Sequence, residues 1–162
     1  MNQTIDHHAF YLKLPKRRAA AGALVVDMAD RAFIVEPTYK ATWEIPGGSV
    51  EAGEDPRTAC KRECQEELGL DIEIGRLLVL EHKVEAPPRG DSIMFVYDGG
   101  VLAEDVRIQL RGDELRSYRF VAASDLDQYT TPSLANRLRH AKRASDTGCT
   151  VELVNGVIAG AR

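Results

Sequence analysis

The alternation of apolar and polar positions divides the chain into short strands around two helices. Residues 20–26 form an apolar run, the turn-like segment 27–30 follows, and a second apolar run occupies 32–35, which predicts two buried strands joined in a hairpin. A loop over 37–41 leads to Trp43, Glu44 and Ile45, after which Pro46-Gly47-Gly48 acts as a strand breaker. The next segment carries helix punctuation. Asp55 is a natural N-cap, Pro56 suits the first turn and Gly69 suits the position after the last turn, so a helix is predicted over 56–68. Beyond it, 72–84 is rich in Ile, Leu and Val, 92–97 follows after the loop Ala86-Pro87-Pro88-Arg89-Gly90, and 106–110 and 118–121 are further strand candidates. Leu134, Leu138 and Ala141 recur at helical spacing, predicting a helix over 132–144. The Asn155-Gly156 pair within 151–158 signals a tight hairpin. Strands bracketing two helices argue for an α/β fold, a mixed sheet with helices on its faces.

Length and composition narrow the class. At 162 residues the chain is expected to form one domain, 1–162, long enough to bury a core without covalent staples. Three cysteines, Cys60, Cys64 and Cys149, can build neither a disulfide scaffold nor a four-ligand zinc site on their own, which points to a reducing compartment. The N-terminus has no apolar signal core, and no window reaches 18 uncharged apolar residues, so no membrane association and a cytoplasmic location are expected. His7 and His8 fall in what reads as a frayed tail, and Arg17 and Arg18 as a solvated lead-in to the first strand. With 21 basic and 25 acidic residues the net charge is -4, and a nucleic-acid partner bound by phosphate neutralisation is not expected.

The acidity has a location. Between Glu44 and Leu70 there are seven acids and three bases, which leaves 18 of each sign elsewhere. On a helix over 56–68, Glu63, Glu66 and Glu67 lie at about 0°, 300° and 40°, so three carboxylates project from one arc. Cys60, Cys64 and Leu68 form an adjacent apolar stripe that can pack on the sheet. Clustered like charges on one helix face cost a few tenths of a kcal/mol per pair. A solvated face with Arg62 as local ion-pair partner would tolerate this, and a hard divalent cation, which takes carboxylate oxygens and retains waters and phosphates, would offset it.

The run GSVEAGEDPRTACKRECQEELGL, Gly48 to Leu70, resembles the Nudix box, G-x5-E-x7-R-E-U-x-E-E-x-G-U with U a bulky apolar residue. All seven fixed positions match, which at residue frequencies of about 7% has a chance probability on the order of 10⁻⁸. Cys64 is smaller than the usual aliphatic at its position, a departure that removes no ligand. Trp43 to Gly48 is similar to the strand and turn that enter the box in this family. The resemblance implies a Nudix fold, an αβα sandwich with a mixed β-sheet between helices. It also implies hydrolysis of a nucleoside diphosphate linked to another moiety, with Mg²⁺ or Mn²⁺ as cofactor.

By the same resemblance Glu66 and Glu67 would be metal ligands, Glu63 a further ligand or the base that activates water, and Gly47 a backbone carbonyl ligand. Arg62 would orient the glutamates, with Glu54 either pairing with it, binding metal through water, or serving the helix N-terminus. Gly48, Gly53 and Gly69 read as backbone-shape residues. Many family members draw an extra acid from a loop before a late strand. Glu114, within Arg111-Gly112-Asp113-Glu114-Leu115, is the candidate here for general base or auxiliary ligand. Arg89 is a candidate to grip phosphate, and Tyr39 and Trp43 to stack on a base, although Trp43 reads more readily as core; His82 reads as structural.

The substrate is expected to be a small-molecule diphosphate, with nucleotides foremost. The upstream motif of coenzyme A pyrophosphatases and the signature of NADH pyrophosphatases are absent. Pro87 and Pro88 stand 17 and 18 residues after Leu70, near but not at the spacing of ADP-ribose hydrolases. The absence of a Tyr in that stretch weakens a dinucleoside polyphosphate reading. Nucleoside triphosphates, nucleotide sugars and isoprenoid diphosphates stay open. The alternatives are a catalytically silent nucleotide sensor or interaction module, and an isoprenoid-diphosphate isomerase, for which Cys149 offers little support. Dimers are common in the family, which leaves a homodimer open.

Overall fold

The computed structural model describes residues 7–103 and 105–160. Its strands β1 (Arg18–Val26), β2 (Ala32–Pro37), β3 (Gly47–Ser49), β4 (Leu77–Lys83), β5 (Ser92–Val101), β6 (Leu115–Val121), β7 (Val151–Val154) and β8 (Val157–Ile158) form one sheet. The order is β6-β2-β1-β5-β4-β7-β8, with β3 pairing β1 beside that path. The β1–β5 and β4–β7 pairs are parallel and the rest antiparallel, so the sheet is mixed as expected.

The period-two alternation of β1 sets the layers. Ala21, Ala23 and Val25 face one side, where they pack with Phe33, Val35 and Tyr97 against Ala59, Cys60, Cys64 and Leu68 of α2 (Pro56–Leu68). Leu24 faces the other side, packing with Ile34, Leu78 and Val96 against Leu134, Leu138 and Ala141 of α3 (Pro132–Thr147). Each helix therefore buries one stripe on an opposite face of the sheet, giving the αβα layering.

Helix α2 has the limits its sequence predicts because its ends are fixed locally. Asp55 Oδ1 accepts hydrogen bonds from the Arg57 and Thr58 amides at 3.0 and 3.1 Å, and Gly69, at φ 67°, closes the last turn by donating to the Gln65 carbonyl. The Asn155-Gly156 hairpin is likewise present, both residues having positive φ as a type I′ turn requires.

Other boundaries differ. No strand forms over 106–110. The segment instead crosses the end of α2, where the Gln109 and Arg111 amides donate to the Leu68 and Glu67 carbonyls at 2.9 and 3.0 Å. Carbonyls left open by the helix terminus, rather than a sheet edge, take its backbone. Pro46-Gly47-Gly48 does not end pairing, because Gly47–Ser49 is the short strand β3 on β1. Trp43 to Ile45 makes a single bridge, Glu44 to Val35, not a strand. Strand β4 starts at Leu77 rather than near 72, although Ile72 is buried against α2. His7 and His8 begin a short helix, α1 (His7–Lys13), which replaces the frayed tail expected there. Among the described residues no helix is long and apolar enough to cross a membrane.

Candidate active site

The α2 carboxylates are organised by one arginine. Arg62 donates from Nε and Nη2 to the two oxygens of Glu54, each at 3.0 Å, in a fork. From Nη1 it reaches Glu63 Oε1 at 3.0 Å and Glu66 Oε2 at 3.4 Å, and from Nη2 the Ser49 carbonyl at 3.2 Å. These hydrogen bonds, Glu54's first, hold the guanidinium firmly protonated despite its partial burial, and the fork keeps the Glu54 carboxyl below its ordinary pKa. Arg62 thus joins the loop before α2, the helix and the β3 edge. Of the roles open to Glu54, the geometry displays the pairing with Arg62.

Glu67 differs from its neighbours. It is only 9% exposed, and its Oε2 accepts a hydrogen bond from the Gly47 amide at 2.9 Å. Burial raises its pKa to about 7, Glu63, Glu114 and Glu44 adding to the rise and the Gly47 amide opposing it. Burial also raises Glu63, with Arg62 opposing and Glu66 and Glu114 adding. Glu63 lies directly over Gly48, where a Cβ would overlap its carboxylate, so this glycine makes room for the acid.

Glu114 reaches the same region from the loop before β6. It lines, with Glu67, Gly47, Gly48, Glu44 and Tyr39, a cleft of about 280 Å³ whose inner wall includes Met94, Leu134 and Arg137. Tyr39, 74% exposed, stands at the rim with Lys40 over its ring. Two other sequence candidates lie elsewhere. Trp43 packs edge-on against Tyr129, with centroids 5.7 Å apart, and adjoins the α3-side core, so it is not a cleft residue. Arg89 is not part of the cleft lining either; its carbonyl accepts from Arg18 in the 86–90 loop. His82 pairs with Glu152 across the β4–β7 edge, at 3.2 Å.

Sequence reasoning missed two charged groups here. Arg111 carries its guanidinium to Glu114 and Glu66, at 3.4 and 3.9 Å. Arg137 lines the cleft and is ion-paired to Glu81, which is fully buried on β4. Only a Glu within an apolar strand hinted at the second, and nothing local marked the first.

The acidic groups offer oxygen donors only: the carboxylates of Glu67 and Glu114 and the backbone of Gly47 line the cleft, with Glu63 over Gly48 and Glu66 against Arg111 beside them. A hard divalent cation fits that set; the raised proton affinities of Glu63 and Glu67 come first from burial, with smaller contributions from the neighbouring carboxylates. The side chains turn toward Arg62, Arg111 and the Gly47 amide, and among the described residues no group of three or more acidic, His or Cys side chains already surrounds a common point.

The NUDIX domain family matches residues 16–143. The chain is 32% identical over 100 residues to an RNA pyrophosphohydrolase of a Nitratiruptor species, spanning 56% of this chain and 64% of that one. It is 36% identical over 77 residues to diphosphoinositol polyphosphate phosphohydrolase 2 of Rattus norvegicus, spanning 47% of this chain and 40% of that one. It is also 36% identical over 61 residues to an 8-oxo-dGTP diphosphatase of Proteus vulgaris, spanning 35% of this chain and 54% of that one. Each match thus spans less than two thirds of the relative's length. Among solved structures, the fold is similar to a MutT protein of Methanosarcina mazei Go1, with TM-score 0.65, 22% identity and 84% and 99% of the two chains covered. It is similar also to a UDP-X diphosphatase, with TM-score 0.69, 20% identity and 91% and 74% covered.

Proposed function

The chain belongs to the NUDIX family, and from that premise we propose that it hydrolyses the phosphoanhydride bond of a nucleoside diphosphate linked to another moiety, with Mg²⁺ or Mn²⁺ bound. The observation that carries this reading is the approach of Glu63, Glu66 and Glu67 of one helix to Glu114 of a separate loop, Glu67 and Glu114 lining one cleft, Glu63 lying over Gly48 of its wall and Glu66 sharing Arg111 with Glu114. Glu63, Glu66, Glu67 and the Gly47 carbonyl are the groups that would hold the cation. A bound divalent cation supplies neutralisation of diphosphate charge and acidifies attacking water.

The chain's own groups do the rest. Arg62 fixes Glu63 and Glu66 through charge-assisted hydrogen bonds and so sets the geometry before substrate arrives. Glu114 accepts the water proton as the water oxygen forms its bond to one phosphorus and the bridging P–O bond breaks, the departing phosphate leaving as the second product. Tyr39, at the rim, offers an exposed ring to a base. The three relatives named above act, by their names, on substrates as different as RNA, diphosphoinositol polyphosphates and 8-oxo-dGTP. The shared element is the phosphoanhydride, and specificity sits in the loops outside the box.

The test is product analysis over nucleoside triphosphates, nucleotide sugars, dinucleotides, diphosphoinositol polyphosphates and prenyl diphosphates, with Mg²⁺ and with Mn²⁺. Two phosphorylated products from a nucleotide substrate, lost on adding a chelator and in Glu66→Gln, are expected. Turnover confined to non-nucleotide diphosphates would overturn the substrate class, and no turnover on any would leave the binding-module alternative in its place.

A further inference from the structure

Two arginines touch the acidic cluster, and they are held very differently. Arg62 has a twofold hydrogen bond to Glu54 and three further contacts at 3.0 to 3.4 Å, so its guanidinium is committed. The Arg111 guanidinium is 42% exposed, and its ionic contacts are long: 3.3 Å to Asp113, 3.4 Å to Glu114 and 3.9 Å to Glu66. Its Nη1 stands between the carboxylates of Glu66 and Glu114, one from α2 and one from the cleft loop. Exposed ion pairs of this length contribute little to stability, so the side chain leaves them cheaply.

The backbone of Arg111, by contrast, is fixed. Its amide donates to the Glu67 carbonyl at 3.0 Å, and its carbonyl accepts from the Glu114 and Leu115 amides at 3.0 and 2.8 Å. A loosely paired guanidinium is therefore carried on an anchored Cα, between two acids and beside the cleft that Glu114 lines.

We propose that Arg111 is an exchangeable counter-ion and phosphate-binding residue: its guanidinium, which bridges Glu66 and Glu114, would yield those carboxylates to a divalent cation and donate its fork to a phosphate oxygen of the substrate. The inference rests on the proposed function, since it takes Glu66 and Glu114 as groups of a diphosphate site. The opposite consequences for cation and anion follow from one displacement. Removing the guanidinium removes a competitor for the carboxylates, and it also removes a donor pair for the diphosphate.

The experiment uses the full chain as wild type, Arg111→Ala and Arg111→Lys. Mn²⁺ binding without substrate is read from the loss of the free-ion electron paramagnetic resonance signal, and binding of methylenediphosphonate in the presence of Mn²⁺ is read by calorimetry. Arg111→Ala is expected to bind Mn²⁺ about three- to tenfold more tightly and the diphosphonate about ten- to a hundredfold more weakly. Its thermal midpoint should be unchanged, because the anchoring bonds are backbone bonds. Arg111→Lys should recover part of the diphosphonate affinity, having the charge without the fork. Weakening of both ligands in Arg111→Ala would show a structural role and overturn the proposal, as would no change in either. Wild-type protein that binds no Mn²⁺ would overturn the proposed function and this inference together, whereas wild-type binding with an indifferent Arg111→Ala overturns the inference alone.

Discussion

The Glu67 carboxylate accepts a hydrogen bond from the Gly47 amide at 2.9 Å, across 20 positions of sequence, and so fastens α2 to strand β3 at the mouth of the cleft. The two glycines of that strand serve different ends. Gly47 has φ 143°, and a Cβ there would overlap the Ala21 carbonyl oxygen and the Gly22 Cα, both backbone atoms of β1. At Gly48 the three atoms nearest to an added Cβ all belong to the Glu63 carboxylate. Gly47→Ala is therefore expected to cost several kcal/mol in urea denaturation, while Gly48→Ala should displace Glu63, lowering Mn²⁺ affinity at least tenfold with a stability change of about 1 kcal/mol or less. Equal loss of stability in the two variants would count against this division.

Glu67 also predicts a pH dependence. Its folded pKa of about 7 lies above the ordinary 4.5. The folded protein thus holds a proton that the unfolded chain has released, and stability falls as pH rises from the unfolded value through the folded one. Below pH 4.5 the contribution is fully present, and above pH 7 it is lost, on the order of 3 kcal/mol at most. In chelator, Glu67→Gln should be more stable than wild type at about pH 8 and no different from it near pH 4, as read from urea midpoints. Divalent metal should reverse the wild-type trend by binding the ionised carboxylate.

Glu114 faces Glu63 and Glu67 from a separate loop and lines the cleft. Glu114→Gln is expected to lower kcat by about 10² to 10⁴, the usual range for removing a general base, with little change in KM. Asp71→Asn, an exposed acid paired with Lys61 at 2.9 Å just past α2, is the charge-matched control and should leave kcat within about twofold. A rise in the metal requirement without a fall in kcat at saturating metal would make Glu114 a ligand and not a base.

How much of this was legible in sequence follows from how local each determinant is. The limits of α2 are set by Asp55, Pro56 and Gly69 within the segment itself, and the wheel already put Cys60, Cys64 and Leu68 on the core face. Glu114 could be named only through the family resemblance, which points to an acid in the loop before a late strand. Strand β3 and the path of 106–110 could not, because each is decided by a distant partner, β1 in one case and the open carbonyls of Leu68 and Glu67 in the other. Trp43 reads more readily as core than as a stacking residue, and Tyr129, far along the chain, packs beside it there. Arg111 and Arg137 were silent for the same reason: a lone arginine signals nothing until its acids are in place.

Arg137 and Glu81 give the last prediction. Glu81 projects from β4 toward α3, is 0% exposed, and has one oxygen, Oε1, without a hydrogen-bond partner among the described residues. The other oxygen is ion-paired to Arg137 Nε. Taking both charges out of water is costly, and their attraction offsets that cost only while the pair is intact. Arg137→Met leaves an uncompensated buried carboxylate and is expected to lower stability by about 3 to 5 kcal/mol. The double change Glu81→Leu with Arg137→Met removes both charges and keeps most of the volume, so it should lie within about 1 kcal/mol of wild type. Urea denaturation with unchanged m-values measures both. If the double variant is as unstable as Arg137→Met alone, the loss comes from the packing of the arginine stem against the cleft wall and not from the stranded charge of Glu81.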